Sequence, residues 1–158
     1  MIAIREAVRS DLDAVVEAVG RLNAVGHAAD PRFEMVPDWR PRLRAYLADE
    51  LFGRFVPFPF GWVATDDTDA VAGVVTGGIH PDAGILVTRP TARIDNLWVE
   101  PPHRRSGLGR RLVARFRERA TAAGHPRLSV GTLAADARAV AFWRAVGVRE
   151  QYLTFTSD

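Results

Sequence analysis

One stretch in the second half of the chain, residues 99–112, constrains the fold more than any other part of the sequence. It follows an apolar strand over 94–99, which two consecutive prolines end because proline cannot donate a hydrogen bond to a sheet. A basic turn containing Gly107 and Gly109 comes next, followed by an amphipathic helix over 110–123. This order of elements is typical of an anion-binding site, since a helix begins with free N–H groups and the positive end of its dipole.

The chemistry of the turn indicates a ligand that carries phosphate groups. Arg104, Arg105 and Arg110 surround the two glycines, and guanidinium groups are well suited to binding phosphate oxygens. A P-loop is excluded because it requires a lysine, and this chain contains none. A dinucleotide-binding fingerprint is excluded because Leu112 stands where its third glycine is required.

The composition predicts a single globular domain over 1–158 and excludes several kinds of site. An apolar fraction of 47% and a charged fraction of 25% are ordinary for a globular chain that is long enough to bury a core. The absence of cysteine excludes disulfides, thiolate metal sites and a cysteine nucleophile. The 4 histidines fall on predicted loops without the spacing of metal ligands, so no metal is expected.

Charge and hydropathy limit the expected partners and location. A formal net charge of +2 gives no independent reason to expect a nucleic acid partner. No apolar run approaches the roughly 18 residues of a membrane span, and the first residues lack a signal-peptide pattern. We therefore expect no membrane partner and a cytoplasmic location.

Hydrophobic periodicity predicts the element order β, α, α, β, β, β, α, β, α, β, with an extra short strand in the connection 80–90. The strands are predicted over 2–8, 60–65, 71–79, 85–88 (the extra strand), 91–99, 128–132 and 148–156. The helices are predicted over 11–25, 39–51, 110–123 and 137–147. The stretch 27–37 is predicted to be a loop.

The pattern Arg104-x-x-Gly107-x-Gly109 after a strand resembles the acyl-CoA-binding motif of the GCN5-related N-acetyltransferase (GNAT) superfamily. In that family, successive amides of the loop hold the pyrophosphate of CoA. The resemblance therefore implies acetyl-CoA as cosubstrate, with no metal. The implied cofactor-binding residues of the loop are Arg104, Arg105, Ser106, Gly107, Leu108, Gly109 and Arg110.

The segment 128–147 resembles the second cofactor segment of the same family. Asp136 stands where the family has an asparagine, and a role as helix cap is an equally good interpretation of it. Phe142 matches the family pattern, whereas Trp143 replaces the tyrosine that often protonates the leaving thiolate. An indole N–H is not a useful acid near neutral pH, so Tyr152 on the last strand is the alternative candidate. The resemblance implies that Asp136, Phe142 and Trp143 contact the cofactor.

The element order also matches the family's layout. The resemblance implies an α+β fold with a mixed, mostly antiparallel central sheet of about six to seven strands flanked by four helices. This sheet is splayed between its fourth and fifth strands. The pantetheine arm pairs with the fourth strand at this splay in the family, which assigns that edge here to Leu97, Trp98 and Val99. The N–H of Val99 is then the candidate donor that polarises the thioester carbonyl.

Asp95 is the candidate catalytic base, because it lies on the predicted fourth strand where several family members carry an acidic residue. Strict strand alternation places Asp95 on one face with Leu97 and Val99, opposite Trp98. An acid in a mostly buried strand tends to have a raised pKa, which a general base requires. An ion pair with Arg93 is the competing interpretation.

The resemblance thus implies an N-acetyltransferase that moves an acetyl group from acetyl-CoA to a primary amine by direct attack within a ternary complex. The acceptor is expected to be a small molecule, with Phe33, Trp39 and Tyr46 as candidate pocket residues, and a homodimer is a family-level expectation. Two alternatives stay open. The arginines between 104 and 119 suit a nucleic-acid-binding module, and Trp143 suits a CoA-binding domain without catalytic activity.

Overall fold

The computed structural model describes residues 1–53, 58–80 and 91–150. Its strands are β1 (Ala3–Glu6), β2 (Phe58–Thr65), β3 (Val71–His80), β4 (Thr91–Val99) and β5 (Leu128–Val130). Its α-helices are α1 (Leu12–Ala29), α2 (Trp39–Phe52), α3 (Leu108–Ala122) and α4 (Ala137–Ala145). Short 3-10 turns lie at Arg9–Asp11, Pro31–Phe33 and Pro101–His103.

The described strands form one mixed sheet in the order β1-β2-β3-β4-β5. Neighbours are antiparallel from β1 to β4, whereas β4 and β5 are parallel. Pairing of β4 with β5 extends from Ala92↔Leu128 to Ile94↔Val130, and β4 then continues to Val99 without it. The predicted α+β class, the four helices and the splay between the fourth and fifth strands are confirmed. The predicted strand at 85–88 and residues 151–156 of the last one lie outside the described residues.

Helices cover both faces of the sheet because each buries one apolar stripe. On one face, α3 packs Leu112, Val113 and Phe116 against β2 and β3, and the Phe116 ring lies 5.5 Å from that of Phe60, edge to face. On the other face, α1 and α2 bury Val15 and Leu47 among other apolar residues. β3 and β4 lie between the two cores, and the candidate site residues Asp95, Leu97, Trp98 and Val99 lie on β4.

The first helix is longer than predicted. It continues to Ala29, so His27 lies within the helix instead of the predicted loop. Alanine favours helix, and the helix ends only where Pro31 disfavours helical backbone at the preceding Asp30. The Asp30 carboxylate then accepts a hydrogen bond from the N–H of Arg32 at 3.0 Å and caps the next turn.

A β-bulge interrupts β4 at Asp95. Thr76 pairs with Asn96 but Gly77 pairs with Ile94, so Asp95 is an extra residue on β4. Gly77 has φ +157, and a Cβ there would lie 2.0 Å from the carbonyl oxygen of Arg93. Only glycine therefore allows the two strands to approach this closely at the bulge.

The bulge reverses the side-chain alternation of β4. Ile94 before the bulge and Leu97 after it both pack into the core under α3, whereas Trp98 packs under α1 and α2. Asp95 lies on the α2 face, where it interacts with Glu50. The prediction from strict alternation, which placed Asp95 with Leu97 and Val99, is wrong because an extra residue shifts the period by one.

Candidate functional site

The turn between β4 and α3 presents free backbone donors to open space. Gly107 has φ +84, a left-handed conformation that glycine adopts without strain, and a Cβ there would meet nothing within 4 Å. The N–H of Arg111 donates to the Gly107 carbonyl at 3.1 Å. The N–H groups of Leu108, Gly109 and Arg110 precede that bond and have no acceptor within the helix. This arrangement suits an anionic ligand.

Two of the turn's arginines are held by the protein itself. The Nε atom of Arg104 donates to the Val99 carbonyl at 2.9 Å, and its guanidinium lies 4.5 Å from the centroid of the Trp98 ring. Arg110 donates to the Ala145 carbonyl at 3.2 Å, at the end of α4. Arg105 is exposed and has φ 61. The charges of Arg104 and Arg110 are therefore fixed around the start of α3, while Arg105 faces solvent.

The edge of β4 presents backbone groups to the gap where β5 ends. The N–H of Glu100 donates to the Ala72 carbonyl of β3 at 2.9 Å. Because backbone groups alternate along an antiparallel pair, those of Trp98 also face β3, whereas those of Leu97 and Val99 face away from it. The Arg104 bond to the Val99 carbonyl agrees with this direction. The N–H groups of Leu97 and Val99 thus line the gap.

The start of α4 and its aromatic residues form the neighbouring wall. The Asp136 carboxylate accepts a hydrogen bond from the N–H of Ala139 at 3.0 Å, so Asp136 caps α4. The Phe142 ring packs beside Gly109 and meets the Trp143 ring edge to face, with centroids 5.0 Å apart. Trp143 is buried in the core under α3. Tyr152 lies outside the described residues.

A polar cluster lies on the opposite face of the sheet, under α2. Asp95 forms an ion pair with the Nε atom of Arg93, and its other carboxylate oxygen lies 3.3 Å from Nε2 of His80. The Asp95 side chain is 12% exposed. Asn96 donates to the Thr76 hydroxyl at 2.9 Å. Both residues of the bulge, Asp95 and Asn96, therefore point into this cluster.

Glu50 of α2 completes the cluster, and sequence reasoning missed it. It is fully buried, and Oε1 is 3.4 Å from the Thr76 hydroxyl, a long hydrogen bond. Burial, together with the charge and hydrogen bond of Asp95, raises the pKa of Glu50 to about 8. One signal was available, because Glu50 follows Leu43 and Leu47 on the apolar stripe of α2, where an acidic residue is unexpected.

An open groove next to this cluster has the dimensions of a small-molecule site. Its volume is about 360 Å³. The lining consists of Met35, Val36, Trp39, Leu43 and Tyr46, with Asn23, Glu34 and Arg42. Trp39 and Tyr46 were two of the three aromatic residues predicted for an acceptor pocket, whereas Phe33 is outside the lining. Burial and the nearby charges of Glu50 and Asp95 raise the pKa of Tyr46, so this lining residue of the groove senses the carboxyl cluster.

Within residues 1–53, 58–80 and 91–150, no group of three His, Cys, Asp or Glu side chains could hold a metal ion. No helix in the same ranges combines the length and apolar character needed to cross a membrane.

Comparison with known proteins identifies a matching family and solved structures that share the fold. The model of the acetyltransferase (GNAT) family matches residues 24–148. No curated protein sequence matches the chain. A tetramutant of the BH1408 protein from Bacillus halodurans superposes with a TM-score of 0.85 at 18% identity, covering 99% of each chain.

Two aminoglycoside acetyltransferase structures also share the fold. AAC(6')-Iy, in complex with the bisubstrate analogue CoA-S-monomethyl-acetylneamine, superposes with a TM-score of 0.76 at 16% identity over 100% of this chain and 98% of that chain. The aminoglycoside 6'-N-acetyltransferase AAC(6')-Ih from Acinetobacter baumannii gives a TM-score of 0.75 at 16% identity over 100% and 99%.

Proposed function

This chain belongs to the acetyltransferase (GNAT) family, and on that premise we propose that it moves an acetyl group from acetyl-CoA to the primary amine of a small molecule. The amine attacks directly within a ternary complex. One observation carries the proposal. The turn between β4 and α3 has free N–H groups on both sides, those at the start of α3 and those of Leu97 and Val99 on β4. Asp95 lies on the same strand, on the face of the sheet that α2 covers.

The turn fits the diphosphate of CoA. The open space at Gly107 accommodates phosphate oxygens that a Cβ would displace. The N–H groups of Leu108, Gly109 and Arg110 and the positive end of the α3 dipole would hold them. Arg105, which is exposed at the mouth, supplies a further cation. Arg104, Ser106 and Phe142 hold the turn in place. Asp136 and Trp143 affect the cofactor indirectly, because Asp136 caps α4 and Trp143 anchors α4 in the core.

The edge of β4 orients the reacting carbonyl. Acetyl-CoA supplies the acetyl thioester, and Leu97 and Val99 present their N–H groups to the gap through which its extended arm would run. A donor at Val99, held in place by the pairing of β4 with β3, stabilises the oxygen that becomes negative during attack. Loss of one such donor typically costs about 2.7–4 kcal/mol in the transition state.

Asp95 accepts the proton of the acceptor's ammonium group. Its side chain is mostly buried yet 12% exposed, and its charge reaches Tyr46, which lines the groove. A negative carboxylate at that position attracts an ammonium group and removes its proton before attack. Tyr152 stays the proposed donor of a proton to the leaving thiolate.

The groove supports a small-molecule acceptor with an apolar part. Its volume of about 360 Å³ falls within the roughly 300–1,000 Å³ that is usual for small-molecule sites. Trp39, Leu43 and Tyr46 offer an apolar wall, while the carboxyl groups whose charge reaches Tyr46 suit the ammonium group. A homodimer and a cytoplasmic location stay predictions.

A screen of amine acceptors tests the proposal, with thiol release from acetyl-CoA as the readout. Acetyl-CoA should raise the melting temperature, and Gly107→Glu should abolish that increase by placing a carboxylate in the phosphate site. The proposal fails if acetyl-CoA gives no increase and Gly107→Glu changes nothing. An increase without turnover on any amine would instead favour a CoA-binding domain without catalytic activity.

The nucleic-acid alternative is tested by a salt titration. The arginines of α3 have partners within the protein: Arg111 donates to the Ile2 carbonyl at 3.0 Å, and Arg117 donates to the Val146 carbonyl at 2.9 Å. These contacts explain the arginines without a nucleic acid. A duplex that bound with an affinity falling steeply as salt rises would favour the alternative.

A further inference from the structure

The carboxyl group of Glu50 occupies an environment in which an ionised carboxylate is poorly satisfied. The residue is fully buried, and among the described residues no N–H or O–H group donates a hydrogen bond to its Oε2 atom. Its Oε1 atom has only the hydroxyl of Thr76, at 3.4 Å. A buried charge without donors is costly, whereas a protonated carboxyl can itself donate a hydrogen bond.

The groups that face Glu50 explain which of the two acids keeps a proton. From β4, Asp95 and Arg93 act on it; from β3, the Thr76 hydroxyl contacts it, and His80 contacts Asp95; Tyr46 lies one turn away on α2. The Arg93 guanidinium and the His80 ring both contact Asp95, whereas Glu50 forms no ion pair among the described residues, and the charge of Arg93 only partly offsets the burial of Glu50. Burial and the neighbouring charge of Asp95 raise the pKa of Glu50, because two neighbouring carboxyl groups do not both ionise readily. The proton therefore stays on Glu50.

We propose that Glu50 is a positioning residue for proton acceptance: its protonated carboxyl donates a hydrogen bond to the Asp95 carboxylate and holds it toward the acceptor. This inference rests on the proposed function. During the reaction, the N–H bond of the acceptor ammonium breaks, an O–H bond forms on Asp95, and the amine nitrogen keeps the electron pair for attack. Glu50 keeps its own proton throughout, and Asp95 later returns its proton to solvent.

Two substitutions separate positioning from a merely structural role. Glu50→Gln keeps the size of the side chain, and its amide can donate to Asp95 at every pH. Glu50→Leu fills the space but cannot donate. We expect Glu50→Gln to retain kcat near pH 7, whereas Glu50→Leu lowers kcat at least about tenfold without changing KM for acetyl-CoA.

The pH profile gives the readout that packing alone would not change. Glu50 loses its proton above pH about 8, so wild-type activity should fall there relative to Glu50→Gln. The ratio of the two kcat/KM values, Glu50→Gln over wild type, should rise above that pH, by up to about tenfold for each pH unit. Glu118→Gln, on exposed α3, is the matched control and should give a flat ratio.

A spectroscopic measurement tests the proton without turnover. Infrared difference spectra of the wild type should show a neutral carboxyl at pH 7 that is absent in Glu50→Gln. The role of Glu50 would be overturned by a flat kcat/KM ratio, by a fully active Glu50→Leu variant or by the absence of that band. If the wild type still acetylated an amine, the proposed function would stand. Lack of wild-type turnover on every amine would overturn both.

Discussion

The ring of Phe142 lies against Gly109, with its Cε2 atom 3.3 Å from the point that a Cβ on residue 109 would occupy. The contact joins the start of α3 to α4, so the position of the free N–H groups depends on a residue of α4. Gly109→Ala forces the Phe142 ring to shift by a few tenths of an ångström. Mild overpacking costs about 1 kcal/mol, and the preference of a helix for alanine over glycine offsets a similar amount, so we expect little change in the free energy of unfolding and weaker binding of acetyl-CoA.

Urea unfolding and calorimetric titration with acetyl-CoA measure these two effects. The double variant Gly109→Ala with Phe142→Leu should recover part of the affinity, because the smaller side chain leaves room for the new methyl group. An equal loss of affinity in the single and double variants would show that the Phe142 contact does not control the donors.

Gly107 has a counterpart elsewhere that separates backbone strain from ligand binding. Gly107 and Gly124 both have left-handed φ values, +84 and +85, and open space where a Cβ would stand. Alanine in either position should therefore cost about 1 kcal/mol of stability. Only Gly107 lies at the start of α3, so only Gly107→Ala should also weaken acetyl-CoA binding.

Titration of both alanine variants with acetyl-CoA, alongside thermal unfolding, checks this expectation. Asparagine enters the left-handed region more easily than alanine. Gly107→Asn should therefore be the more stable variant and still bind acetyl-CoA weakly. If Gly124→Ala weakened binding as much as Gly107→Ala, the phosphate site would not be at the turn.

Glu50 should make the stability of the protein depend on pH. Its pKa is raised from 4.5 in the unfolded chain to about 8 in the folded one, so the folded state binds more protons between these values. The stabilisation is complete below the unfolded pKa and is lost as the pH rises through the folded pKa, by at most about 1.4 kcal/mol for each pH unit.

The comparison of wild type with Glu50→Gln isolates this contribution, because all other titrating groups are shared. Urea unfolding at several pH values between 5 and about 8.5 should show wild-type stability falling relative to Glu50→Gln as the pH rises. Parallel curves would mean that Glu50 is already ionised in the folded protein.

Asp95→Asn should lower turnover without changing the cofactor site. A general base typically contributes about 10²–10⁴-fold to a rate, so we expect kcat to fall within that range. The KM for acetyl-CoA should stay the same, because Asp95 lies on the α2 face, away from the turn. Steady-state kinetics at neutral pH measures both parameters.

Two outcomes would remove Asp95 from the role of base. Unchanged kcat is the first. The second is an equal loss of kcat in Arg93→Gln, a variant that disrupts the ion pair but keeps the carboxylate. Such a result would mean that the ion pair matters for structure and that the carboxylate does not accept the proton.

Short-range sequence patterns were enough to predict those ends of helices and strands that depend on neighbouring residues in the chain. The bounds of β4 agree with its predicted span of 91–99, and Asp136 caps α4 as its sequence position suggested. The end of α1 and the role of Glu50 could not be read in the same way. Glu50 becomes significant only when α2 packs over β4, and no pattern within α2 alone shows what lies opposite it.

The bulge at Asp95 was missed for a similar reason. An extra residue in one strand is visible only in relation to its partner, and the sequence of β4 by itself reads as a regular alternation. The cause lies on β3, where Gly77 lets the carbonyl of Arg93 approach closely. A pair of adjacent glycines inside an apolar strand was the available signal, since glycine in a strand often marks a bulge.

Gly77→Ala should therefore disturb the site from a distance. The new Cβ would lie 2.0 Å from the backbone oxygen of Arg93, and no change of rotamer relieves a contact with backbone. We expect a loss of about 3 kcal/mol, the upper end of ordinary overpacking. If β4 escapes the clash by giving up the bulge, strict alternation returns and Asp95 rotates away from Glu50. Turnover would then fall while the turn at Gly107 still binds acetyl-CoA.

Gly131→Ala is the control, since a Cβ there meets nothing within 4 Å. A Gly77→Ala variant with wild-type kcat and stability would show that the bulge does not position Asp95.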